Sequence, residues 1–172
     1  ATRAPGKNAS FYSDNKGVIR FASSSRYDLG TVMYYRDAAR EDWTVFNDQN
    51  ATKVNMIPMG YSSEADIAYL KIEESTGADA IYEYDRRTKQ RKLLFKDDNV
   101  DPDSALLSPL DSSVYAFRYL DGKPKIRYVV PASPYATALK GLQASFPTSS
   151  VVPTSFTKDG ALGLYYVYSD TN

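Results

Sequence analysis

The chain has 172 residues and contains neither cysteine nor histidine. Without cysteine there is no disulfide and no thiolate chemistry, although the compartment stays open between exported and cytoplasmic. Without histidine there is no Ser-His-Asp triad within these residues and no histidine-based metal site. Net charge is also missing, with 21 basic residues balancing 21 acidic ones. No basic stripe appears, which argues against a nucleic-acid partner. No apolar run approaches the ~20 residues that a membrane-spanning helix needs. Gly-x-Ser-x-Gly, the P-loop and Gly-x-Gly-x-x-Gly are all absent. No catalytic, cofactor-binding or metal residue is therefore assigned, and no cofactor is expected.

What is abundant is tyrosine, with 15 copies. Tyrosine favours strands and buries a ring while keeping its hydroxyl wet. It also marks an internal echo. Tyr12 to Phe21 returns as Tyr61 to Leu70, an offset of 49 residues with no gap. Val32 then maps to Ile81, Tyr35 to Tyr84, Phe46 to Phe95 and Asn50 to Asn99. A weaker third copy sets Val114-Tyr115-Ala116-Phe117 on Ile67-Ala68-Tyr69-Leu70, and a fourth opens at Gly160-Ala161-Leu162-Gly163-Leu164.

Inside the copies, short β-branched and aromatic runs read as strands. They are Val18–Ala22, Thr31–Arg36 and Trp43–Asn47 in the first copy. The second holds Asp66–Ile72, Ala80–Tyr84 and Lys92–Phe95. The third holds Val114–Tyr119 and Lys125–Val130, and the fourth Val151–Phe156 and Ala161–Tyr168. Asn15-Lys16-Gly17, Leu29-Gly30, Thr76-Gly77, Asp121-Gly122 and Asp159-Gly160 mark tight turns between them. Four-stranded antiparallel units at a period of about 45–50 residues describe β-propeller blades. The expectation is all-β: a partial propeller of about three and a half four-stranded blades over residues 8–50, 51–100, 101–132 and 150–172. The last copy ends after two strands, so a fragment of a larger protein is expected, with open strand edges that allow self-association.

Ser133 to Pro147 breaks the pattern. Ser133 suits an N-cap, Pro134 the first helical position, and Leu139, Leu142 and Phe146 share one face. A short connecting helix near 134–146 is predicted, within a connector spanning 133–147 and covering a sheet end.

Four charged or polar motifs invite a functional reading. Asp97-Asp98-Asn99-Val100-Asp101-Pro102-Asp103 is rich in oxygen ligands but lacks the spacing and glycine of an EF-hand loop, so a turn between blades is preferred. Glu73-Glu74 could hold a substrate amino group but suits a solvated hairpin end better. The runs Asp37–Asp42 and Asp85–Gln90 fall at the same point of two copies and read as exposed hairpin tips. Asn8-Ala9-Ser10 and Asn50-Ala51-Thr52 match the glycosylation sequon, which matters only in a eukaryotic secretory protein.

Two stretches resemble a known family. Asp103-Ser104-Ala105-Leu106-Leu107-Ser108-Pro109-Leu110-Asp111 with Val114-Tyr115-Ala116-Phe117 looks like a propeller blade of prolyl oligopeptidase family serine peptidases. Leu142 to Pro147, Val151 to Gly160 and Leu164 to Asn172 are similar to the connecting helix and next blade of bacterial members known as dipeptidyl aminopeptidases or acylaminoacyl-peptidases. The resemblance implies a propeller that gates peptide access to an α/β-hydrolase domain carrying the triad. That domain would be the partner, together with the remaining blades and, in the parent protein, a peptide substrate. With no histidine and no nucleophile elbow, no catalytic residue carries over, and these residues alone are expected to be inactive. The alternative is a propeller used as an interaction or ligand-binding module unrelated to peptidases.

Overall fold

The computed structural model describes residues 3–27 and 30–169. Leu29 of the predicted Leu29-Gly30 turn and the terminal Asp170-Thr171-Asn172 lie outside the described residues. The chain divides into two compact units, residues 1–99 and 100–172.

The first unit holds two antiparallel meanders. Strands β1 (Ser10–Ser13), β2 (Ile19–Ser25), β3 (Thr31–Tyr35) and β4 (Thr44–Asp48) pair in chain order. After a one-turn helix α1 (Gln49–Thr52), β5 (Asn55–Tyr61), β6 (Ile67–Glu73), β7 (Ala80–Asp85) and β8 (Gln90–Lys96) do the same. The predicted runs recover six of these strands to within a few residues. The opening strand of each sheet was not predicted. β1 is half serine, and β5 carries Pro58 and Gly60 at a register shift, so neither shows plain alternation.

The 49-residue echo takes physical form here. Phe21 and Leu70 are both buried, as are Tyr35 and Tyr84, and all four belong to one core shared by the two sheets. Phe21 pairs with Tyr35 across β2–β3, so their rings lie on one face. Tyr84 enters this face with ring centroids 6.5 Å from Phe21, 5.6 Å from Tyr35 and 4.9 Å from Phe46. Edge-on aromatic packing of this kind adds about 1 kcal/mol per pair beyond burial. Tyr69 and Ile81, which alternate to the opposite face of β6–β7, are buried too.

One detail of the echo changes. Asp14 N–H donates to the Val18 carbonyl, whereas Ser62 N–H donates to that of Ile67. Val18 and Ile67 stand 49 apart and Asp14 and Ser62 stand 48 apart, so the second turn is one residue longer. The ungapped sequence match spans this insertion because turn residues are permissive.

The second unit departs from the expected four strands in its third copy and agrees with the two strands expected of its fourth. β9 (Pro102–Leu107), β10 (Val114–Asp121) and β11 (Lys123–Tyr128) form a three-stranded sheet in the order β11-β10-β9. β12 (Ser150–Phe156) and β13 (Gly163–Tyr168) form a two-stranded one. β9 was not predicted, because its Pro102-Asp103-Ser104 start reads as a turn. The all-β class therefore stands as open antiparallel sheets of two to four strands.

Helix α2 (Pro134–Ser145) begins as predicted, with Ser133 Oγ accepting the Ala136 N–H at 3.1 Å. Ala136 and Leu139 are buried, and the helix packs on β12 and β10. Phe146 is not on the buried face: it ends the helix at non-helical dihedrals and is 43% exposed. A relay of rings, Tyr115–Tyr135–Phe156–Tyr165, at centroid spacings of 6.0, 5.4 and 5.8 Å, ties β10, α2, β12 and β13 together.

Gly160 guards this relay. Its φ is +69°, and a Cβ there would lie 2.4 Å from the Tyr135 hydroxyl oxygen. Gly160→Ala is expected to cost about 2 kcal/mol through left-handed strain and displacement of Tyr135. Thermal unfolding followed by near-UV circular dichroism checks it. An unchanged midpoint would show that the turn and Tyr135 relax freely.

Candidate functional site

In a meander, the β1–β2 and β3–β4 turns share one end of the sheet and the β2–β3 turn lies at the other. The first unit has a polar seam at the first end and a cavity at the second.

The seam begins at Asp14, whose side chain is fully buried. Its Oδ1 accepts the N–H groups of Lys16 and Val18 at 2.9 Å each, the turn closure that aspartate favours. Its Oδ2 accepts Arg20 Nε at 2.8 Å. Burial pushes this carboxyl up, but the bonds from Arg20, Val18 and Lys16 outweigh it and hold the group below the usual carboxylate range. From the same turn, Asn15 donates to the Ser62 and Ser63 carbonyls at 3.0 and 3.1 Å, and Lys16 to that of Glu64 at 3.1 Å. Turn therefore bonds to turn, across the two sheets.

A second set of links joins the predicted hairpin tips. The Tyr35 hydroxyl donates to Asp37, and Lys89 pairs with the same carboxylate. Arg86 Nε donates to the Tyr35 hydroxyl at 3.2 Å and Arg86 Nη1 to the Ala65 carbonyl at 2.5 Å. Burial, and then the bond to Asp37, push the Tyr35 phenol far above its usual value. Asp37, Arg86 and Lys89 thus clasp the sheets together, a role that reading them as free solvated tips had missed. The available signal was that both runs hold opposite charges at the same phase of the repeat.

Tyr61 completes the seam. It is 2% exposed, and its hydroxyl has no hydrogen-bond partner. Burial and then the nearby Asp14 charge drive its phenol strongly upward. The surroundings favour the ionised Asp14 carboxylate and the neutral phenols of Tyr35 and Tyr61, which suits a seam that holds the sheets together.

At the opposite end, Lys7, Asn8, Ser24, Ser25, Arg26 and Tyr27 line a cavity of about 570 Å³. The N-terminal segment is fastened there by Ser24 Oγ, which donates to the Lys7 carbonyl at 2.7 Å. Close seating needs Gly6, where a Cβ would fall 2.5 Å from Ser24 Oγ. Arg26 is held by Asp48 at 2.8 Å. No sequence motif announced this cavity, because its walls come from two segments about 17 residues apart that only the fold unites.

The other predicted positions are placed as follows. Asp97 accepts the Asn99 N–H at 3.1 Å within its own turn, and Asp103 pairs with Arg118 at 2.7 Å. Among the described residues no three Asp, Glu, His or Cys side chains gather to hold a metal. Glu73 meets Lys71 at 2.8 Å and Asn55 at 2.9 Å, and Glu74 meets Lys96 at 2.9 Å, so each has a partner of its own. Asn8 stands at the cavity with φ +51°, and Asn50 is exposed at the start of α1.

Neither the family models, the curated proteins nor the solved structures include one that matches this chain.

Proposed function

We propose that these residues form a non-catalytic run of β-propeller blades, a wall segment of a prolyl-oligopeptidase-like serine peptidase that gates peptide access to a separate α/β-hydrolase domain. The observation that carries the blade reading is the pair of successive four-stranded meanders packed through echoing residues, Phe21 with Leu70 and Tyr35 with Tyr84. The peptidase assignment rests on the resemblance in residues 103–117 and 142–172. The absence of histidine and cysteine supports a structural role.

The partner surface in this reading is the edge of β13. Among the described residues no strand pairs with it beyond β12, and Leu162, Leu164 and Tyr166 are exposed along it. Such an edge pairs readily with further strands, of the parent protein or of a second copy.

Two measurements test the proposal. Chromogenic aminoacyl and dipeptidyl substrates should not be hydrolysed by this chain, and measurable turnover would overturn the non-catalytic role. The gene should encode a Gly-x-Ser-x-Gly elbow in the same polypeptide after Asn172, whereas further blades alone would leave the second reading. That reading is a propeller used as a ligand-binding or interaction module, and the cavity beside Lys7 and Tyr27 favours it.

A further inference from the structure

We infer that β13 is the contact strand of a symmetric dimer, pairing antiparallel with β13 of a second molecule of this chain. Such a dimer uses the open edge described above and needs neither the propeller nor the peptidase reading.

The edge strands differ in how they treat a stranger. The four open sheets have eight edge strands among the described residues, and seven of them carry a feature that resists pairing. β8 and β11 each bear three cations. β5, β9 and β12 each contain a proline, which withholds a ladder donor. β4 ends on Asp48, and β1 has only four residues with a bulge among them. β13 has none of these protections. Its six residues, Gly163-Leu164-Tyr165-Tyr166-Val167-Tyr168, hold no charge and no proline, and the irregularity in its ladder falls on β12. Aromatic and β-branched side chains give it high strand preference.

A second β13 is the complement of such an edge. Identical charged strands would set like charges opposite one another, and β13 has none to oppose. A strand that pairs antiparallel with itself runs through a two-fold axis, so the contact closes at two molecules. The result is a four-stranded antiparallel sheet, β12-β13-β13-β12, with the strand number of β1–β4 and β5–β8. Side-chain alternation restricts the register, because residues opposite one another must share a face. Leu164 and Tyr166, 65% and 61% exposed, then meet their counterparts across the axis, and the stacked Tyr166–Tyr168 rings continue over it.

The test is analytical ultracentrifugation of the full chain. From about 1 to 300 µM it should show one monomer–dimer equilibrium with a dissociation constant of about 20 µM, as suits a contact at the small end of interface sizes. Tyr166→Lys, which sets two like charges beside the axis, should weaken it about tenfold. Tyr166→Phe should change it by less than about twofold, and Tyr27→Lys, at an exposed ring of the first unit, should leave it unchanged. Tyr166 is more than half exposed, so its variants keep the monomer fold, and an unchanged unfolding midpoint at low concentration verifies it. Hydrogen exchange at the β13 amides of the native chain should slow as concentration rises, while that in β8 and β11 stays constant. A chain that remains monomeric to about 300 µM overturns the dimer and leaves the edge to a further strand of the parent protein. Growth past two molecules overturns the two-fold pairing. Indifference to Tyr166→Lys, or β13 exchange that ignores concentration, overturns the assignment to this strand.

Discussion

Phe21→Ala is expected to destabilise the first unit by about 4 kcal/mol, a large share of what holds a domain of this size. Phe21 is fully buried and lies on the face where the two sheets meet, with Tyr35, Phe46 and Tyr84 around its ring. Truncation leaves a cavity with walls in both sheets, and neither sheet can close it alone because each is fixed by its own ladder. The consequence is cooperative. Hydrogen exchange in β5–β8 should accelerate along with that in β1–β4, although the substitution is in β2. Native-state exchange read by mass spectrometry checks this. Loss of protection in β1–β4 alone would mean that the echoing core does not couple the sheets.

Asp14→Asn is expected to cost about 3 kcal/mol at pH 7, since it leaves the Arg20 guanidinium facing an amide in a buried turn. The dependence on pH carries the sign. The folded carboxyl lies below its unfolded value. Its contribution is therefore fully present above about pH 4 and disappears as pH falls through the folded value. The native protein should lose stability steadily below about pH 4, and the gap between native and variant should narrow there. Urea denaturation at pH 7 and pH 3 measures both. Parallel curves would remove Asp14 as the cause.

The parts legible in the residues were those governed by local chemistry. Aromatic and β-branched runs marked β2, β3, β6, β7 and β10 because such side chains suit a pleated, half-buried surface. Ser133 and Pro134 marked the start of α2 because cap and first-turn preferences depend on the backbone alone. The first strands β1, β5 and β9 were not legible. They rely on pairing with a neighbour for their conformation, and their own serine, proline and glycine content points to turns. Phe146 was expected to share a face with Leu139 and Leu142 from a helical period, but the helix stops at Ser145 and Phe146 has non-helical dihedrals.

The seam was half visible. Opposite charges at matching phases of two copies were on view in Asp37–Asp42 and Asp85–Gln90. That Asp37 meets Lys89, and Arg86 meets Tyr35, required the two sheets to stack with their turns at one end. The cavity was not visible at all, since Lys7 reaches Ser24 only when the N-terminal segment folds back over β2.

By itself, the sequence determined a β-rich chain with a repeat of 49 residues and no histidine or cysteine chemistry, because composition and side-chain period are local properties. The tertiary structure alone decided that echoing residues share one core, that charged turns clasp, and that the third sheet has three strands. Those outcomes depend on which faces and ends meet, and contact between residues about 50 positions apart is not written in either one.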